Sequence, residues 1–249
     1  MTDESVADDI RSPLSTTLLT VVGTVLVALV VYGLVVLVSV LMRDERTVTS
    51  AVDLEAGAPL VLDVSDVDVT VSSADVDRVT LTATVTDGLL DTSYAVGEGP
   101  RGLVVESSCM AWLSPGCGAE LEVRVPSGTP VAIASTEGDL TLHDLSASGA
   151  VTLRSASGDV DASGLDIDEL DVRTDTGDVD LVFEQEPYAV KVATDEGDVE
   201  VVLPAGGRMY QVAADSDEGD VQASVTGERG GEGLIRLTSR TGDIALFRE

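Results

Sequence analysis

The sequence contains no asparagine, a single lysine (Lys191), a single histidine (His143) and two cysteines (Cys109 and Cys117). Only 14 basic residues stand against 45 acidic ones, so the chain has no basic stripe that could neutralise phosphates, which argues against nucleic-acid binding. Aromatic residues make up 3% of the chain, too few for the rows of ring platforms that carbohydrate recognition would use. These shortages argue against two common classes of binding protein.

The single histidine also narrows the scope for catalysis. His143 precedes Asp144, and such a pair can serve a metal or act as a general base, but no second histidine or recognisable nucleophile accompanies it. No nucleophile elbow, P-loop or dinucleotide fingerprint is present. We therefore expect an ordinary surface histidine, no catalytic residue and no cofactor, in a protein that is not an enzyme.

The two cysteines have seven residues between them and no CxxC partner, which disfavours a zinc site. Two alternatives remain open: a disulfide that closes a small loop outside the cytosol, which we favour, or two buried thiols. Trp112 lies between Cys109 and Cys117. It is either an exposed contact residue or, as we expect, a plug in the local core or a cap over the end of the fold.

Acidity is the strongest compositional feature of the chain, whose formal net charge is −31. Beyond residue 46, 39 acidic residues face 11 basic ones, a net charge of −28. A hydrophobic content of 44% nevertheless argues for a packed core rather than disorder. In strong brine the Debye length is about 3 Å or less, so such charges are screened. The composition predicts a halophilic protein.

A long apolar stretch lies near the N-terminus. No charged residue occurs from Ser12 to Met42, and Leu18–Leu41 is almost wholly Val, Leu, Ala, Gly and Thr. About 20 apolar residues span a bilayer, whereas the apolar region of a cleavable signal peptide is usually about 7–15 residues long. We predict a polar tail at 1–11, a transmembrane helix at 12–42, a juxtamembrane linker at 43–50 and a β domain at 51–249.

The membrane orientation follows only weakly from charge. Arg11 on one flank and Arg43 with Arg46 on the other differ too little for the positive-inside rule to decide. The cysteine pair favours a C-terminal domain outside the cytosol, on a single-pass membrane protein.

One six-residue phrase occurs six times in the second half of the chain. Each copy begins with Ser or Thr and ends in Gly-Asp followed by Leu, Val or Ile, and the copies span 135–140, 155–160, 174–179, 194–199, 216–221 and 239–244. Successive glycines lie 20, 19, 20, 22 and 23 residues apart. A regular period of this size indicates stacked structural repeats.

The apolar pattern predicts how a repeat is built. Apolar residues seven apart flank each of four phrases, namely Leu153 and Val160, Val172 and Val179, Val192 and Val199, and Leu237 and Ile244. Strand side chains alternate with period two, so both members face inward only if the Gly-Asp turn resets the phase. A second corner is expected at 163–166. The resulting fold is all-β, a solenoid of ~20-residue, two-strand units preceded by the helix, with a β-sandwich as the rival.

Stacked turns would align their aspartates along one edge. The six are Asp139, Asp159, Asp178, Asp198, Asp220 and Asp243. Carboxylates and turn carbonyls suit Ca²⁺, which takes 6–8 oxygen ligands. However, the nonapeptide pattern of calcium-binding β-rolls is absent, and turn formation in salt explains the same residues. These aspartates are candidate calcium ligands, with no bound metal expected.

The segment Leu121–Gly128, together with the phrase at 135–140 and its successors, resembles the putative adhesin domain family, over residues 50–249. The resemblance, to a halophilic archaeal type, implies a right-handed β-solenoid-like fold, tethered by one helix, with a role in surface adhesion and no catalytic residues. We therefore expect a membrane-anchored adhesion or interaction protein that binds an envelope protein or other surface partner. The alternative is a sensory or regulatory protein whose solenoid receives an envelope signal.

Overall fold

The computed structural model describes residues 13–52, 58–99, 102–110, 112, 114, 116–225, 227 and 230–249. Within these residues one α-helix, α1 (Pro13–Leu41), precedes 18 β-strands. The strands are β1 (Asp44–Val52), β2 (Leu60–Ser65), β3 (Asp68–Ala74), β4 (Val79–Asp87), β5 (Ser93–Glu98), β6 (Leu103–Ser108), β7 (Gly118–Pro126), β8 (Val131–Glu137), β9 (Leu140–His143), β10 (Ser146–Ser157), β11 (Val160–Thr176), β12 (Val179–Phe183), β13 (Ala189–Glu196), β14 (Val199–Leu203), β15 (Tyr210–Glu218), β16 (Val221–Ala223), β17 (Gly233–Thr241) and β18 (Ile244–Arg248). The all-β prediction for the domain and the N-terminal helix are confirmed.

The helix α1 is 29 residues long, and its part Val21–Leu41 is long and apolar enough to cross a membrane. The predicted linker at 43–50 is wrong in detail, because β1 begins at Asp44, almost directly after the helix, and pairs antiparallel with β4. The β-branched residues Thr47, Val48 and Thr49 suit an extended edge strand.

Two sheets face each other across the core. Sheet A contains, in spatial order, β1, β4, β7, β3, β9, β11, β12, β14, β18 and β16. Sheet B contains β5, β6, β2, β8, β10, β11, β13, β17 and β15. Apart from the antiparallel pairs β1–β4, β4–β7 and β5–β6, these pairings are parallel. The two sheets therefore form a stack of two-strand rungs that antiparallel strands close at one end.

The core is narrow and aliphatic. Every one of the eight residues predicted to point inward around the Gly-Asp turns is buried, which confirms the phase change at the turn. In the register, Thr152 lies opposite both Ala132 and Asp171, offsets of 20 and 19 residues. Each rung thus lies directly on its neighbour, and the apolar side chains of successive rungs form one continuous column.

The second corner of the rung is a bend within continuous strands. In β11 the pairing with β12 shifts between Ala162 and Leu165, and Gly164 between them has φ +65°. β10 shows a similar shift between Ala147 and Ala150. The corner predicted at 163–166 is therefore present, and β11 passes through it from sheet A into sheet B.

The rungs do not stack in sequence order at the C-terminal end. β17 lies between β13 and β15, and β18 lies between β14 and β16. The sixth phrase is thus inserted between the fourth and the fifth. The turns are aligned along one edge, as predicted, but their spatial order differs from their order in the chain.

Candidate interaction surfaces

The Gly-Asp turns are held by backbone geometry that favours glycine. Gly138, Gly158, Gly177, Gly197 and Gly242 have φ values between +112° and +151°. A Cβ added to four of these glycines would meet the carbonyl group of the glycine in the adjacent rung, and at Gly138 it would meet that of Val67. These five turns therefore require both the positive φ and the absence of a side chain, whereas Gly219 of the fifth phrase requires only the latter.

The aspartates of the turns form a hydrogen-bonded ladder. The backbone N–H of each aspartate donates to Oδ1 of the aspartate in the preceding rung, at 2.7–3.0 Å. In spatial order the ladder is Asp68, Asp139, Asp159, Asp178, Asp198, Asp243 and Asp220. Each carboxylate, except that of Asp220 in the last rung, therefore uses one oxygen to hold the turn of the next rung. An Asx residue holds an isolated turn in the same way.

Asp68 also belongs to the ladder, although it lies outside the six copies of the phrase. Its rung, β2–β3, carries Val67 where the phrase has glycine, and Asp66 takes the positive φ of +59° instead. Val67 is buried, so it closes the end of the glycine column. The signal in the sequence was the Asp-Val pair at Asp68-Val69, which matches the end of the phrase but not its centre.

The ladder geometry does not provide a set of calcium ligands among the described residues. Among the described residues, no three His, Cys, Asp or Glu side chains are placed so that they could hold a metal ion. The six predicted aspartates do lie in one line, although not in chain order. Their role in calcium binding stays a prediction, whereas their role in the turns is visible.

The outer face of sheet A is acidic. Asp161, Asp180 and Glu200 lie side by side on β11, β12 and β14, and we call them the acidic row. The pKa of Asp180 is raised, first by partial burial and then by the neighbouring charges of Glu200, Asp161, Asp178 and Asp159. These carboxylates repel one another, so the face favours a cationic neighbour.

The outer face of sheet B carries five of the domain's 11 basic residues. Arg154, Arg173, Lys191, Arg236 and Arg240 are exposed on the adjacent strands β10, β11, β13 and β17. These five, which we call the basic strip, are among nine described basic residues beyond residue 46. Three rung steps of about 4.8 Å make the strip roughly 14 Å wide. The five cations thus lie close together on a face that also carries Asp171 and Asp195.

Like charges lie directly opposite each other within the basic strip. Arg154 pairs with Arg173, and Lys191 pairs with Arg236, in the parallel register. Arg173 has an ion pair with Asp171 at 3.2 Å. Within the part of the chain that the structure describes, Arg154, Lys191 and Arg236 make no ion pair. Like charges opposite each other destabilise a sheet, so these two pairs are unfavourable, and Asp171, opposite Lys191, offsets the repulsion only in part.

A second basic cluster has its partners inside the domain. The Arg208 guanidinium lies 3.7 Å from the centre of the Tyr188 ring, and Arg248 lies 5.5 Å from that of Tyr210. The Glu186 carboxylate accepts a hydrogen bond from the backbone N–H of Arg208 and lies 3.7 Å from a guanidinium nitrogen of Arg248. The pKa of Tyr210 is raised, chiefly by burial and then by Glu186. This cluster ties the C-terminal strand to the loop that precedes β15, which gives it a structural role.

The two cysteines are joined in the structure by a disulfide, with Cα atoms 6.1 Å apart. Trp112, between them, is 66% exposed, so the expectation that it plugs the core or caps the fold is wrong. Its carbonyl oxygen instead accepts a hydrogen bond of 3.2 Å from the hydroxyl of Tyr32 in α1. The disulfide loop therefore lies against the helix rather than over the core.

His143 lies at the end of β9 and is exposed. Its Nδ1 is 2.9 Å from the hydroxyl oxygen of Ser163, one rung away. Asp144, the other half of the predicted pair, has φ +48° and forms part of the corner beside Gly164. The pair thus lies in a turn of the stack.

The family model described as Toastrack DUF4097 matches residues 121–246, half of the chain. The chain belongs to the Toastrack DUF4097 family. The match begins in β7 and ends in β18, so in this Toastrack chain it covers all six Gly-Asp phrases and the whole basic strip. A search of curated proteins finds no match.

Two solved structures are similar to this Toastrack chain. One is a putative cell adhesion protein from Clostridium sporogenes, at 15% identity, with 83% of this chain and 100% of that one covered and a TM-score of 0.48. The other is a putative adhesin from Bacteroides fragilis, at 13% identity, with 82% and 97% covered and a TM-score of 0.41.

Proposed function

We propose that this Toastrack protein is a membrane-anchored adhesion or interaction module of the cell envelope, without catalytic activity. The helix α1 is the anchor, and the β domain lies outside the cytosol, where the Cys109–Cys117 disulfide persists. The protein acts by presenting a rigid, charged surface to a partner.

The basic strip carries this proposal. Three of its five cations have no ion pair among the described residues, and two like-charge pairs stand opposite each other on neighbouring strands. The small neighbours Ala134, Thr152 and Ala193 leave the long basic side chains projecting from the face. A flat face of this kind fits an acidic protein surface, which would relieve the repulsion within the strip.

The chain itself offers one such surface. The acidic row of a second copy has the same rung spacing as the basic strip, because both follow the parallel stacking of the same rungs. Contact between the basic strip of one copy and the acidic row of another would join two anchored molecules, and adhesion would then be homophilic.

We further propose that the acidic surface is an adaptation to strong brine, in a protein of the halophilic archaeal type. The support is the net charge of −28 on the β domain, which brine would screen. A right-handed winding of ~20-residue repeats, which the family resemblance implies, belongs to the same proposal.

Beads that carry the full chain in nanodiscs test the adhesion proposal. We expect wild-type beads to cluster with one another and adhere to cells of the producing strain. Reversal of four strip charges (R154E, R173E, K191E and R236E) should reduce both at least tenfold. The matched control R124E reverses an exposed arginine on the outer face of sheet A, whose partner is Glu122, and should leave adhesion unchanged.

Charge reversal of the acidic row (D161K, D180K and E200K) shows whether the partner is a second copy of this chain or another acidic protein. If the partner is a second copy, the row variant should lose self-clustering but cluster with wild-type beads through its intact strip. Adhesion to cells without self-clustering would point to another acidic protein. Equal adhesion of wild-type and strip-reversed beads would refute the proposed binding face.

Protease treatment of intact cells tests the location independently. External protease should remove the β domain and leave the helix in the membrane. Full protection of the domain in intact cells, with digestion after lysis, would place it in the cytosol and overturn the proposed role at the surface.

A further inference from the structure

The domain contacts α1 along the last third of the helix. Besides the bond from Tyr32 to the Trp112 carbonyl, the backbone N–H of Leu89 donates to the hydroxyl of Ser39 at 3.3 Å, and Ser39 is fully buried. Tyr32, Val36 and Ser39 lie at positions i, i+4 and i+7, so they share one face of the helix. Two segments of the domain therefore lie against this face, one at 88–90 and one between the two cysteines, of which the structure describes Met110, Trp112, Ser114 and Gly116.

These segments carry large apolar side chains that the protein leaves uncovered. Leu89, Leu90, Met110 and Trp112 are all exposed. Residues 107–119 include no charged side chain, although 24% of the chain is charged. Exposed apolar clusters of this kind on a highly acidic protein mark a surface with an apolar partner.

The length of the helix shows what that partner is. At 1.5 Å per residue, 29 residues extend about 44 Å, well beyond the ~30 Å of a hydrocarbon core. Tyr32 lies nine residues before Leu41, about 13 Å along the axis. On the side away from the domain, Leu34, Leu37 and Leu41 are exposed. If the bilayer ended at Tyr32, these leucines would project into water; if it extends to Leu41, the two segments lie inside it.

We propose that residues 88–90, together with Met110 and Trp112 of the disulfide loop, insert into the bilayer beside α1 and hold the β domain against the membrane. Leu89, Leu90, Met110 and Trp112 are then covered by lipid, and the hydrogen bond from the Tyr32 hydroxyl to the Trp112 carbonyl satisfies two polar groups that lie in the hydrocarbon core. The disulfide keeps the inserted loop closed. The domain consequently stands with the β1 edge at the membrane and cannot swing freely on a linker.

This inference rests on the membrane anchoring proposed above, and the single tryptophan of the chain tests it directly. The full chain is reconstituted into phosphatidylcholine vesicles, and flotation first measures anchoring. Trp112 emission is then recorded with brominated phosphatidylcholines and with iodide on both sides of the membrane. We expect blue-shifted emission, strong quenching by the brominated lipids and at least fivefold weaker quenching by iodide than for free tryptophan.

Three other outcomes would contradict the proposal, and each identifies the step that fails. Absence of flotation would overturn the anchoring and this inference together. Flotation with red-shifted emission that iodide quenches fully would overturn the insertion alone. Blue-shifted emission without quenching by brominated lipids would show that protein, not lipid, covers Trp112, and would also refute the proposal.

A matched pair of variants links the effect to the apolar segments. L90E places a charge in segment 88–90 and should raise iodide quenching of Trp112 at least twofold. V182E places the same charge at an exposed valine of β12 and should leave the quenching unchanged. An equal response to both variants would contradict the inserted geometry.

Discussion

The backbone N–H of Asp243 donates a 2.7 Å hydrogen bond to Oδ1 of Asp198, although 45 residues separate the two. In chain order the partner of Asp198 would be Asp220, which instead donates to Asp243 at 2.8 Å. This single bond marks the insertion of the sixth rung between the fourth and the fifth. The chain therefore passes through its outermost rung, β15–β16, before it returns as β17–β18 to the position beneath it.

Removal of the Asp198 carboxylate should show which rung lies next to that of Asp198. In D198A the amide of Asp243 loses its acceptor, so we expect faster hydrogen exchange in 239–244 and a loss of about 1 kcal/mol in unfolding free energy. D198N keeps an acceptor oxygen and should retain most of the protection. Exchange is measured by mass spectrometry. Faster exchange in 216–221 instead, with 239–244 unaffected, would show that the rungs stack in chain order.

Three glycine substitutions should separate backbone strain from close contact. Gly177 has φ +141°, and a Cβ there would meet the Gly158 carbonyl; Gly149 has φ +103° with open space; Gly207 has open space and no left-handed φ. We expect G149A to cost about 1–2 kcal/mol and G177A clearly more. G207A should be neutral or stabilise by up to about 1 kcal/mol. Thermal unfolding measures the loss of stability in each variant. Equal losses in G177A and G149A would contradict the close contact between position 177 and the Gly158 carbonyl.

Two buried serines at equivalent positions should respond differently to alanine. The hydroxyl of Ser239 donates to the Gly197 carbonyl at 3.0 Å, whereas that of Ser155 is buried and has no partner among the described residues. Loss of the bond in S239A should cost about 1 kcal/mol. S155A removes an unsatisfied polar group and should be neutral or slightly stabilising. Chemical denaturation of the two variants is the test; a similar loss in both would mean that Ser155 has a partner.

The charge of Asp180 should weaken the fold at neutral pH. Its folded-state pKa is raised above the ordinary value of 3.8, so its contribution to stability is complete below that value and is lost as the pH rises through the folded-state pKa. D180N should therefore raise the melting temperature at pH 7 but not at pH 3. The gain, below about 1 kcal/mol because the group is exposed, should shrink in about 1 M KCl.

The control for Asp180 is Asp171, the carboxylate beside Arg173 in the basic strip. D171N removes a negative charge from cationic neighbours, so it should leave stability unchanged or lower it at pH 7. A gain of the same size in D171N and D180N would show that overall charge, rather than the acidic row, sets the effect.

Some features of the fold were predictable because they depend on neighbours in the chain. Leu153 and Val160 face inward because strand alternation and the Gly-Asp turn decide it within eight residues. The apolar helix is equally local, since its length and composition suffice. The first rung was missed for a related reason, because Val67 stands where the local phrase requires glycine.

The interaction surfaces were not predictable in this way. Arg154 and Arg236 are 82 residues apart, and only the parallel register of four strands brings them onto one face. Tyr32 and Trp112 are 80 residues apart and meet only because the disulfide loop lies against the helix. Both surfaces depend on long-range pairing that no local pattern encodes.

The sequence by itself determined that this protein is a stack of β rungs behind one apolar helix, because turn chemistry and side-chain alternation act over a few residues. The tertiary structure alone decided the order of the rungs, since the six turn phrases are too similar for the sequence to show which of them become neighbours. It also decided where the charges gather and which loops lie beside the helix. Those choices depend on which rungs become neighbours, and the contacts of Arg248 with the loop before β15 help to fix them.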